Sequence, residues 1–207
     1  MKLSKKISAV VLAALMVVVA IFAGCSSSKS TDDSKTNTES TTSAAKVKVV
    51  DIELSSEKYA FGVDKKQPEL KEKCNELIKE MKSNGELEEI SNHYFGDGEP
   101  VGVESAKQDK SKDQLVVATN AEFEPFEYKE GNKFYGIDME IAKLLADKLG
   151  KELVIVDMAF DAVLLSVQQQ KADIGMAGLT VTKERAKQVD FCDSYYNAAQ
   201  KIVVKAD

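Results

Sequence analysis

Leu115-Val116-Val117-Ala118-Thr119-Asn120-Ala121-Glu122-Phe123-Glu124-Pro125-Phe126 is a run of four apolar residues that breaks into a polar, proline-containing loop. Apolar side chains with no polar alternation fit a strand covered on both faces, as in a parallel sheet flanked by helices. The downstream sequence repeats the theme. A helix capped by Asp138 runs to Leu149, with Ile141, Leu144, Leu145 and Leu149 on one face and Gly150 as its stop. Leu153 to Val156 reads as strand, Asp161 caps a helix through about Gln170, and Asp173 to Ala177 is strand again. Thr182 caps a short helix carrying Lys183 to Gln188, and Gln200 to Lys205 is a final strand. Strand and helix in alternation predict an α/β fold with a mostly parallel sheet flanked by helices.

Upstream lies a second globular block. Val47-Lys48-Val49-Val50-Asp51-Ile52 alternates and reads as a strand, and Tyr59-Ala60-Phe61-Gly62-Val63 as another. Pro68 suits the first turn of a helix in which Leu70, Cys74, Leu77, Ile78 and Met81 recur at helical spacing until Asn84-Gly85 stops it. Glu86 to Phe95 makes a shorter helix. The polar, Gly- and Lys-containing stretch 100–113 is expected to be a linker between residues 46–99 and residues 114–207.

The first 24 residues read as a targeting segment. Lys2, Lys5 and Lys6 precede an apolar stretch from Ile7 to Ala23 interrupted only by Ser8. At about 17 residues it is at the low end of bilayer-spanning length, so an uncleaved anchor is the alternative. Phe22-Ala23-Gly24-Cys25 resembles a bacterial lipobox, which implies lipidation of Cys25 and attachment to the outer face of the cell membrane. Residues 25–45, rich in Ser and Thr, then form a flexible tether. A formal charge of −6 and the lack of a basic stripe argue against a nucleic-acid partner, and a single histidine, His93, excludes a multi-histidine metal site. No cofactor is expected. Cys74 and Cys192 read as small buried hydrophobes, with nothing in the sequence to pair them.

In an open α/β sheet, ligands bind beyond the carboxyl ends of the strands, which selects the loops after Ala118, Val156 and Ala177. The first holds Asn120, Phe123 and Phe126, the second Phe160, and the third Gly178 and Thr180 with Arg185 one helical turn on. Arg185 is the only arginine in a chain that otherwise uses lysine. Its planar guanidinium can grip a carboxylate with two parallel N–H groups, which an ammonium cannot. Two aromatic faces, a polar side chain, backbone N–H groups near a helix start and this guanidinium suit a small zwitterion. The competing reading makes the phenylalanines core and Asn120 and Thr180 turn caps.

Residues 115–206 resemble the N-terminal part of the amino-acid-binding family of extracytoplasmic solute-binding proteins, the receptors of polar amino-acid ABC importers. The resemblance is carried by Leu115 to Asn120, Phe123-Glu124-Pro125-Phe126-Glu127-Tyr128, Gly136-Ile137-Asp138, Phe160-Asp161, Gly178 to Arg185, and Val189 to Tyr196. It implies that Phe123 and Phe160 sandwich the ligand side chain, that Ala177 and Gly178 offer backbone groups, and that Thr180 and Arg185 hold the α-carboxylate. It further implies a permease partner and anchoring to the membrane. Asn120 stands where the family often has Asp, which disfavours a strongly cationic ligand.

Residues 46–99 resemble the C-terminal end of the same family through Tyr59 to Val63, the Lys65-Lys66 region, Leu70, Asn75, Leu77, Asn84-Gly85-Glu86 and Tyr94-Phe95-Gly96. The family order is thus inverted. The resemblance implies two segments of one periplasmic-binding-protein-like lobe, lobe 1, in permuted order, with the second lobe missing and the strands near Lys46 to Glu53 and Gln200 to Asp207 lacking their continuation. A tandem array cut within two successive domains is the other origin. The leading expectation is a lipid-anchored, incomplete amino-acid-binding protein; the alternative is a regulatory or decoy lobe docking another receptor or a permease. A dehydratase-like enzyme on this fold is disfavoured, because Glu122, Glu124 and Asp161 supply no nucleophile–base pair.

Overall fold

The computed structural model describes residues 46–206; the targeting, lipidation and tether expectations fall on residues outside that range. In chain order the elements are β1 (Val47–Tyr59), β2 (Gly62–Val63), α1 (Pro68–Asn84), α2 (Glu86–Phe95), β3 (Gln114–Thr119), β4 (Glu122–Phe123), β5 (Glu127–Glu130), β6 (Lys133–Tyr135), α3 (Ile137–Leu149), β7 (Glu152–Asp157), α4 (Phe160–Gln168), β8 (Ile174–Gly175), α5 (Arg185–Gln188), β9 (Asp190–Phe191) and β10 (Tyr196–Lys205).

The apolar run of β3 sits inside a five-stranded sheet of order β7-β3-β8-β2-β9. It is parallel to β7, with Leu115 opposite Leu153 and Val117 opposite Ile155, and parallel to β8. β2 comes from the upstream block and runs antiparallel to both of its neighbours, so the sheet is α/β with its other four strands aligned. That insertion joins the two blocks through one hydrophobic core. Phe61, Cys74, Ile78 and Met81 from upstream pack in the same cluster as Leu115, Ile141, Leu145 and Met176. α1 buries the face that the helical spacing marks, Cys74, Leu77, Ile78 and Met81, and Gly85 ends it at φ 86°, a left-handed stop.

Several expectations are revised. The two upstream strands are one long β1 followed by the two-residue β2, and β1 pairs antiparallel with β10 from Val47↔Lys205 to Tyr59↔Tyr196. Register shifts between Val50 and Ser55 carry β1 through its polar middle. Among the described residues each strand of this ribbon pairs with the other alone except at the Tyr59 end of β1, which also bridges Thr180, and Val47, Ile52, Leu54 and Val203 are exposed. Residues 100–113 are no free linker. Val103 is buried and exchanges backbone hydrogen bonds with Phe134, and Ala106 N–H donates to the Leu153 carbonyl at 2.8 Å. The three-stranded sheet β4-β5-β6 has no counterpart in the sequence reading.

The caps differ too. Gly136 precedes α3, and Asp138 lies fully buried inside its first turn. Ala159 precedes α4 and leaves Asp161 exposed in the first turn. Thr182 does accept the Arg185 N–H, at 3.2 Å through its hydroxyl. Cys74 and Cys192 are both buried free thiols and are neighbours: the Cys192 thiol beside it and burial together push the Cys74 thiol up. Asp193 N–H donates to the Asn75 side chain at 2.7 Å, closing the same junction.

Candidate functional site

Because β3, β7 and β8 run parallel, the segments that follow them emerge on one edge of the sheet. The first two are tied by Asn120, which donates from Nδ2 to the Met158 carbonyl at 3.0 Å, and by Ala121 N–H, which donates to Asp157 at 2.9 Å. Asn120 is thus half-buried and structurally engaged, a bracket between loops.

Phe123 and Phe160 are the exposed aromatics of this edge, at 43% and 38%. Phe123 stacks on the buried Phe126, ring centres 5.6 Å apart at 18°, and lies against the Gly178 backbone. Gly178 adopts φ +48°, and a Cβ there would come within 2.9 Å of the Phe123 ring, so glycine is needed both for the turn and for the approach. Phe160 is faced by Arg185, whose guanidinium carbon sits 5.1 Å from the ring centre, a cation–π contact. Arg185 also donates from Nη1 to the Thr180 carbonyl at 2.9 Å. One aromatic surface and one short loop thereby hold the guanidinium in place. A hollow of about 120 Å³ opens beside Phe160, Asp161, Leu179 and Arg185. A larger cavity, about 650 Å³, lies elsewhere, between residues 108–110 and the far end of α4, and includes none of the expected site residues.

Ala177, Gly178 and Thr180 also have places within the fold. The Gly178 N–H donates inward to the buried Asp138 carboxylate at 2.9 Å, and Ala177 is 1% exposed. The Thr180 hydroxyl donates to Glu57 Oε2 at 2.8 Å. Glu57 reaches this position because the end of β1 continues along the Thr180 segment, with Val181 N–H donating to the Lys58 carbonyl and Ala60 N–H to the Leu179 carbonyl. It is absent from the sequence-based set. Its neighbours Ser55, Ser56 and Lys58 give it the look of any exposed strand residue, and no local pattern marks its partner 123 positions away.

Beneath Gly178 lies a buried acid pair, Glu127 and Asp138, both 0% exposed. Burial drives both carboxyls upward, and the charge of Asp138 raises Glu127 further; the Gly178 N–H works the other way on Asp138. Among the described residues both Glu127 oxygens lack a hydrogen-bond partner, and the Tyr195 hydroxyl borders Asp138 without an aligned bond to it. Burial thus favours the protonated form of Glu127, which lies beside Asp138 on the floor of the loop. Glu122 and Glu124 flank Phe123 as exposed acids, and among the described residues no cluster of His, Cys, Asp and Glu is placed to hold a metal ion. Among the same residues no helix is long and apolar enough to cross a membrane.

A model of the family described as bacterial extracellular solute-binding proteins, family 3, matches residues 4–97 and 115–207. The arginine-binding extracellular protein ArtP of Bacillus subtilis is 42% identical over 106 residues, which are 51% of this chain and 42% of that protein. The probable histidine-binding protein of Campylobacter jejuni is 33% identical over 82 residues, 40% of this chain and 32% of that protein. Among solved structures, an ancestral arginine-binding protein bound to arginine is 42% identical with a TM-score of 0.39, covering 41% of this chain and 38% of its own. A mutant of the arginine-bound form of domain 1 from TmArgBP is 38% identical with a TM-score of 0.41, covering 46% of this chain and 81% of its own. The chain spans less than half the length of the curated relatives it matches, 42% and 32% for the two described. With all but residues 98, 99 and 114 of the two globular blocks inside the matched residues, the chain belongs to the bacterial extracellular solute-binding proteins of family 3.

Proposed function

We propose that this chain is a lipid-anchored solute-binding protein of a polar amino-acid ABC import system, which holds the α-carboxylate of its ligand at Arg185, beside Thr180. The observation that carries this reading is the convergence of Phe123, Phe160, Thr180 and the chain's single arginine on one sheet edge, with the guanidinium held by Phe160 and the Thr180 carbonyl. A guanidinium already oriented loses little freedom when a carboxylate arrives. Cys25 is the lipidation site, the protein works at the outer face of the cell membrane, and a permease receives the ligand. Residues 46–99 and 114–207 are two segments of one lobe in the reverse of the family order; the insertion of β2 between β8 and β9 supports this. Binding rather than catalysis is the role, since the exposed acids of the edge stand without a nucleophile.

The ligands to try first are arginine and histidine, which the relatives' names give. The neutral Asn120 speaks against a strongly cationic ligand, but its amide is occupied by Met158, and Glu57 adds a carboxylate to the same edge. Calorimetry on the full chain in detergent, titrated with each standard amino acid to millimolar, should give saturable heat for at least one. No saturable heat for any of them ends the receptor reading. A second reading, docking onto another receptor or permease, is favoured by the exposed apolar residues of the β1–β10 ribbon. Light scattering showing only a monomer, alone and with the permease, would argue against it.

A further inference from the structure

We infer that Glu57 belongs to the ligand site, as the carboxylate that receives the ammonium group of an amino-acid ligand. This rests on the proposed function, in which Arg185 takes the carboxylate, and adds the opposite pole.

Thr180 is hydrogen-bonded to two side chains of opposite charge. Its main-chain carbonyl accepts from Arg185 Nη1 at 2.9 Å, and its hydroxyl donates to Glu57 Oε2 at 2.8 Å. A threonine hydroxyl has one hydrogen and two lone pairs. With the hydrogen committed to Glu57, the hydroxyl cannot also donate to a ligand carboxylate; it presents lone pairs instead. A ligand at Thr180 therefore meets both a cation and a carboxylate with an oxygen acceptor beside it. That is the complement of a zwitterion, whose ammonium carries three N–H donors and no acceptor.

Glu57 also has capacity left. Among the described residues it accepts, besides Thr180, only the Ser55 hydroxyl, at a long 3.3 Å, while two carboxylate oxygens offer about four lone-pair positions. Among the described residues none of the lysine, arginine or histidine ion pairs includes it. It is half-buried, so an arriving ammonium would meet a partly desolvated partner, and its backbone is fixed by the bridge between Tyr59 and Thr180. These facts make Glu57 a specificity residue that selects ligands with a free amino group.

The test compares L-arginine with Nα-acetyl-L-arginine, which keeps the carboxylate and the guanidinium and lacks the ammonium. Both are titrated by calorimetry into the full chain in detergent, as wild type and as Glu57→Gln, with the melting temperature confirming that the variant is folded. Glutamine can still accept the Thr180 hydroxyl, so the local structure is expected to persist. The expected result is that wild type binds arginine at least about tenfold more tightly than the acetylated form, and that Glu57→Gln loses that factor for arginine alone, a change of about 1.4 kcal/mol. Arginine bound as tightly by Glu57→Gln as by wild type, or more tightly, overturns the assignment. So does an equal loss for both ligands, which would place the guanidinium at Glu57. Arg185→Lys separates the two readings: if it binds as wild type does while Glu57→Gln loses the amino-group preference, the carboxylate anchor fails and Glu57 stands. Where wild type leaves arginine unbound, the same comparison is run with the standard amino acid that gives saturable heat and its Nα-acetyl form; no binding of any standard amino acid overturns both.

Discussion

Arg185 stands out in the sequence by composition alone, and the structure gives it neighbours: the Phe160 ring and the Thr180 carbonyl hold its guanidinium. Lysine at this position keeps the charge and loses both the fork and the planar stacking surface. Arg185→Lys is expected to weaken amino-acid binding about tenfold, read by calorimetry, with no change in melting temperature beyond that of a surface substitution. Glu127 makes a different kind of prediction. In the unfolded chain it ionises near its ordinary value of 4.5; in the fold, burial and the Asp138 charge push it up to about 11. Asp138 rises from 3.8 to about 7, chiefly through burial. A raised acid stabilises the fold fully below its unfolded value, and that contribution is lost as pH climbs toward the folded one, by up to about 1.4 kcal/mol per pH unit for each group. Thermal melts should therefore show stability falling between pH 5 and pH 8 by more than in Glu127→Gln, which replaces the acid by a neutral shape. An equally steep fall in the variant would remove Glu127 as the cause.

Among elements, legibility followed the strength of the local pattern. β3 and β7 are continuous apolar runs and α1 carries its apolar residues at helical spacing, so each was readable to within a few residues. The hairpin strands β4, β5 and β6 were not, because residues 122–135 mix charges, Gly and Pro with no alternation, and their pairing is set by the buried Phe126 and Phe134. β1 was cut short for a similar reason: its second half, Ser55 to Lys58, is polar, and only the partner strand β10 extends it. Glu57 was hidden by the same stretch. The site's loops, by contrast, were found from topology, since a parallel sheet fixes which edge carries them. One junction makes a sharp test. Gly136, between β6 and α3, has φ +116°, and a Cβ would sit 2.1 Å from the Phe126 carbonyl oxygen. Gly136→Ala should cost about 3 kcal/mol or more by denaturant titration, since neither backbone can yield without shifting the acid pair that flanks the turn. A cost below about 1 kcal/mol would show the junction to be pliable.

At the scale of the molecule, two sequence blocks separated by residues 100–113 share one sheet and one core. Phe61 of the upstream block, 1% exposed, stacks on Tyr195 of the downstream block with ring centres 4.4 Å apart. Phe61→Ala should destabilise by about 3–5 kcal/mol and lower hydrogen-exchange protection in β3 and β7 as well as in α1. Protection in β3 and β7 left unchanged would mean that the blocks fold independently. The central claim, that the edge formed by the ends of β3, β7 and β8 is an amino-acid site, is tested most directly by amide NMR of the full chain in detergent during titration with arginine and then histidine. The account predicts saturable shifts confined to residues 57–60, 120–123, 158–161 and 177–186. Saturable shifts centred on the cavity between residues 108–110 and α4, or none at that edge, would contradict it.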